Sequence, residues 1–92
     1  MDTLKEVGKI VNISQEELIA RGMLAFLEKE IRLSEMEIAD MREKYDVASK
    51  EDLYKLIESK AIASHPAWED YITWKNKEKY REELEDKLNE IR

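Results

Sequence analysis

From Ala20 onward the apolar residues recur at alternating spacings of four and three. They run Ala20, Leu24, Leu27, Ile31, then Ile38, Met41 and Tyr45, with Ser34 the one polar member of the series. That rhythm is a helical stripe, whereas a strand would alternate every second residue. Its start is marked by Ser14-Gln15-Glu16-Glu17, a capping box in which the Ser14 hydroxyl accepts from the Glu17 amide and the Glu17 side chain reaches back. Acid-first pairs at i,i+4 support the outer face: Glu17/Arg21, Glu28/Arg32 and Asp40/Lys44. The spacing predicts one long helix from about Gln15 to Tyr45, roughly 45 Å at ~1.5 Å per residue.

A second start lies at Ser49-Lys50-Glu51-Asp52, and Leu53, Leu56, Ile57 and Ala61 give a short helix ending near Ile62. Pro66 suits a first helical turn, with Glu69 and Asp70 near its positive end. A last helix therefore runs from about Pro66 to near the C-terminus. Its inner face reads Tyr71, Trp74, a polar gap, then Leu84, Leu88 and Ile91. Residues 1–13 form an N-terminal arm or short amphipathic segment: Leu4, Val7, Ile10 and Val11 fit a helix, and 7–13 also fits a strand. The expected fold is all-α, an antiparallel hairpin of two long helices over 14–92 with the short helix at its turn, dimerising into a helical bundle.

Composition sharpens this picture. Charged residues make up 41% of the chain and hydrophobic ones 42%, too many for disorder and natural for amphipathic helices. The net charge of −6 argues against general duplex binding. The chain has no cysteine, so it has no disulfide framework, and no run approaches the ~20 apolar residues of a membrane span. A cytoplasmic location is the expectation, since the opening residues lack the apolar core of a signal peptide.

The long helix carries more apolar surface than one neighbour can cover. Ile19, Met23, Phe26 and Leu33 lie beside the main seam and widen its N-terminal half to ~160°, against the ~100° that one neighbour needs. The N-terminal segment, a second copy or a different protein must cover Phe26 and Leu33. Trp68, Tyr71 and Trp74 step by three along the last helix, either as local core or as partner anchors. Lys75, Lys77, Lys79 and Arg81 follow with Tyr80 interleaved, either as a solvated face or as a nucleic-acid contact.

Catalysis finds little footing. His65 is the single histidine and sits before a proline at a helix start, where a capping or surface role suits it. One histidine without cysteine does not make an ordinary zinc site, and there is no glycine-rich phosphate loop. No cofactor and no metal is expected, and the chain reads as a binding protein rather than an enzyme.

Lys44-Tyr45-Asp46-Val47-Ala48-Ser49-Lys50-Glu51-Asp52-Leu53 and the later string from His65 to Trp74 carry a resemblance. From roughly Leu18 to Ile91 the chain resembles small prokaryotic antitoxin-like helical proteins encoded beside a toxin gene. The resemblance implies a protein partner, a cognate toxin masked by helix faces, and the surplus apolar surface adds a homodimer when the chain is free. The resemblance also implies that Trp68, Tyr71 and Trp74 anchor the complex. Many antitoxins carry a DNA-binding module, and no helix-turn-helix signature is found here. The alternative is a structural coiled-coil adaptor or self-assembling bundle with no toxin.

Overall fold

The computed structural model describes residues 2–91, which form four helices. They are α1 (Asp2–Val11), α2 (Gln15–Tyr45), α3 (Lys50–Glu58) and α4 (Ser64–Ile91), and no strand occurs among the described residues. The segment whose pattern fitted helix, strand or arm is thus helical over most of its length. In α4, His65 has a non-helical backbone (φ −114°, ψ 125°), so the regular helix begins at Pro66, as the sequence predicts.

Helix starts follow the sequence closely. The Ser14 hydroxyl accepts from the Glu17 amide at 3.0 Å, and the Ser49 hydroxyl from the Asp52 amide at 3.2 Å. The reciprocal half of the capping box differs from expectation. The Glu17 carboxylate instead meets Arg21 one turn on, at 2.7 Å.

Helix ends follow a rule that glycine content does not reveal. α1, α2 and α3 are followed by Asn12, Asp46 and Lys60, all left-handed with φ of 60°, 51° and 62°. After each, the next amide donates to a carbonyl five residues back: Ile13 to Gly8, Val47 to Arg42, Ala61 to Leu56. This is the Schellman closure, usually built on glycine, and it satisfies carbonyls the helix would leave orphaned. It ends α3 at Glu58, earlier than the expected Ile62, because Lys60 adopts a conformation that lysine rarely takes. Glycine suits position 8 in the first closure for another reason: a Cβ there would lie 3.0 Å from the Ile13 carbonyl oxygen, tighter than ordinary contact.

The long helices run antiparallel. Lys44 pairs with Asp70, Glu37 with Lys77, and Glu30 with Tyr80, so residue numbers fall along α2 as they rise along α4. At the closed end Ile38, Met41, Leu53, Ala67 and Trp74 form the core, edged by Tyr45, Val47, Ile57, Ile62 and Tyr71. Here α3 packs mainly on α4, with Leu53 in the core, and thickens the hairpin. Farther along, the polar gap of α4 is bridged by ions rather than carbon: Lys50 with Glu78 at 3.1 Å and Lys77 with Glu37 at 2.9 Å. Beyond the gap, Leu27 and Leu88 are buried again.

The molecule measures 60 × 22 × 18 Å, with a radius of gyration of 19.2 Å. A compact chain of this length would have about 12 Å. A rod of this shape, mostly two helices thick, has little chain left to cover a second face of α2.

Candidate interaction surface

The predicted seam of α2 faces inward from Leu24 to Tyr45, whereas Ala20, its first member, is exposed beyond the reach of α4. Leu27, Ser34, Ile38 and Met41 are buried, and Leu24, Ile31 and Tyr45 half-buried. The adjoining row does not. Ile19, Met23, Phe26 and Leu33 are exposed, Phe26 by 58%. These residues repeat at four-three-seven spacing, so they share one side of the helix. Glu30 completes the row between Phe26 and Leu33, and the Tyr80 hydroxyl donates to its carboxylate at 3.1 Å. Tyr80 of α4 therefore borders the row on one flank. On the other flank, α1 rests against the start of α2, where Leu4 and Val7 meet Leu18 and Gly22 in a shallow apolar groove. α1 reaches the side of the row without closing over it.

A second exposed surface lies at the closed end. Trp68 and Tyr71 stack with centroids 5.4 Å apart, and Tyr54 of α3 leans on both at 6.3 and 5.5 Å. Trp68 is 44% exposed, and Tyr54 and Ile72 are also open to solvent. Trp74 does not share this surface. It is fully buried, with the Arg42 guanidinium 5.8 Å above its ring, so it serves the fold and offers a partner no area. Three residues expected as one set of anchors are thus divided: Trp68 outside, Tyr71 half-buried, Trp74 in the core.

The same division explains the string that carries the resemblance. The Asp70 carboxylate accepts from Lys44 at 2.8 Å and from the Tyr45 hydroxyl, while Glu69 meets His65 at 2.9 Å. Lys44 hence pairs across the hairpin rather than with Asp40, and His65 sits on the surface. Asp70 is held below the usual carboxylate range, first by the Lys44 hydrogen bond and then by that from Tyr45. Burial chiefly raises Tyr45, helped by its bond to Asp70. The Lys-Tyr motif and the Trp-Glu-Asp-Tyr string are joined to hold the hairpin closed, and of them Trp68 is the residue most free to act outside.

The four basic residues of α4 do not form one patch. Lys77 pairs with Glu37 and Arg81 approaches Glu85 at 3.9 Å, both half-buried, whereas Lys75 and Lys79 are exposed on the outer side. Two free lysines are a weak electrostatic footprint for a nucleic-acid backbone. Among the described residues, no group of three or more His, Asp or Glu side chains could hold a metal ion. No described helix is long and apolar enough to cross a membrane.

Comparison with known proteins adds a family. A model described as the Uncharacterized protein MJ0235 family matches residues 1–92. The chain belongs to this family. No curated protein and no solved structure matches it.

Proposed function

We propose that this member of the MJ0235 family is a non-enzymatic, cytoplasmic protein-binding module that works by laying the exposed row of α2 on a protein partner. The observation that carries the reading is the row itself: Ile19, Met23 and Phe26 adjoin one another and Leu33 lies beyond Glu30 on the same side, each substantially exposed, with no other described helix closing over them. An exposed apolar patch of this extent on a small protein is often functional. The resemblance of 44–53 and 65–74 to antitoxin-like proteins supplies the class of partner, a toxin encoded nearby and masked sterically. The acidic balance of the chain speeds encounter with a basic partner.

A second reading, a self-assembling helical bundle with no toxin, draws on the same row. Its four-three spacing is that of helices that pack on one another. In the antitoxin reading too, the free protein is a homodimer.

The test is co-expression with the product of the adjacent open reading frame, followed by co-purification and growth rescue. The masking reading expects both, and expects Phe26→Asp to abolish both while the chain stays helical. Loss of neither interaction nor rescue in that variant would remove the α2 row from the mechanism. Absence of any co-purification with the wild-type chain would remove the toxin and leave the bundle.

A further inference from the structure

We propose that a second copy of this chain covers the α2 row in an antiparallel, two-fold symmetric pairing with Phe26 beside the axis, so that two hairpins make one four-helix bundle. This rests on reading the row as a contact face, and it adds the occupant and its register.

Area is the first argument. The four side chains of the row are each about half exposed. At roughly 150–200 Å² per side chain, they offer about 300–400 Å² of apolar surface per copy. Two copies face to face then bury about 600–800 Å² of apolar area, and interfaces are a little over half apolar, so the total is near 1,200 Å². That meets the lower bound for a stable, specific dimer.

Register is the second. Ile19 and Leu33 stand seven residues to either side of Phe26. An antiparallel copy centred on Phe26 therefore sets each Ile19 against the other copy's Leu33, and Phe26 against its own equivalent. Glu30 then falls level with Gly22 and not with a second Glu30, so no like charges meet across the axis at that level. A parallel, in-register pairing would instead oppose Glu30 to Glu30 and Glu37 to Glu37, setting like charges together at two levels.

The flanks are the third. Tyr80 borders the row and Leu84 follows one turn later on the same side of α4, so α4 meets its counterpart when the α2 rows meet. α1 lies on the opposite flank and leaves the contact clear.

The chain has no cysteine, so single-cysteine variants can be labelled cleanly. Lys29 and Met36 are exposed beside the row and seven residues apart. Spin labels on Lys29→Cys and, separately, Met36→Cys report the distance between equivalent sites in the dimer. The antiparallel register expects axial offsets of about 9 Å for the first and about 30 Å for the second, at ~1.5 Å rise per residue. Phe26→Asp should weaken dimerisation about a hundredfold, as loss of a central aromatic anchor does. Equal distances at both sites would overturn the antiparallel register. A monomer at every concentration tested would overturn the second copy as occupant. If such a monomer still bound the neighbouring gene's product through Phe26, the masking reading would stand alone. A dimer of the expected distances that bound no such product would leave this pairing standing and remove the masking.

Discussion

The Tyr45 hydroxyl donates to the Asp70 carboxylate across the closed end of the hairpin, and Lys44 reaches the same carboxylate from the preceding position at 2.8 Å. One acid thus fixes the last turn of α2 to the first turns of α4, beside the core residues Met41 and Trp74.

This arrangement predicts how stability depends on pH. Asp70 titrates below its ordinary value of 3.8, so its contribution is complete above that value and is lost as pH falls through the lower folded value. Tyr45 titrates above 10.0, so its contribution is complete below that value and is lost as pH rises through the higher folded value. Thermal melts from pH 2 to 7 should show Asp70→Asn less stable than wild type at neutral pH, with the gap narrowing below about pH 4. A gap that stays constant into the acid range would show that Asp70 contributes nothing as an anion.

Much of this was readable from sequence because it is local. The capping serines Ser14 and Ser49, the seam of α2 and the proline start of α4 depend on neighbours within a turn or two. The partner of Lys44 was not readable. Asp40 is the nearer acid in sequence, and only the hairpin brings Asp70 to it. Trp68 and Trp74 step by three through Tyr71, and at ~100° per residue that step drifts, so they stand about 120° apart and one is open while the other packs with Ile38, Met41 and Leu53. The α3 end was misplaced because Lys60 carries no glycine-like signal.

That lysine gives a second prediction. Lys60 is left-handed without the licence of glycine, a conformation costing roughly 1–2 kcal/mol for an L-residue. Lys60→Gly should raise stability by up to about 1 kcal/mol, the remainder offset by the greater freedom of glycine in the unfolded chain. Asn12→Gly should gain less, since asparagine tolerates this region. Chemical denaturation of the two variants ranks them, and a destabilised Lys60→Gly contradicts the assignment of the α3 end.

Trp74 gives a third. Its ring is sealed in the core, and its indole Nε1 has no hydrogen-bond partner among the described residues. Trp74→Ala should cost about 3–5 kcal/mol through the cavity it leaves. Trp74→Phe should cost much less, because no indole hydrogen bond is lost and a buried donor is removed. If Phe proves as damaging as Ala, the indole nitrogen has a partner in solution.

Fluorescence separates the two tryptophans. Trp68 is open to solvent and Trp74 is not. Iodide should quench wild-type emission in part, and Trp68→Phe should leave emission that iodide hardly reaches. Equal quenching of wild type and Trp68→Phe would place Trp74 nearer the surface than its packing with Ile38 and Leu53 allows.

The whole account stands on Phe26 being uncovered within its own chain. Denaturation of Phe26→Asp, at a dilution where the wild-type chain is itself monomeric, reads this directly. The account predicts unchanged helix content and stability within about 0.5 kcal/mol of wild type, as for a surface substitution. A loss of several kcal/mol, or an unfolded chain, would put Phe26 inside the monomer's core and leave α2 with no surface to offer.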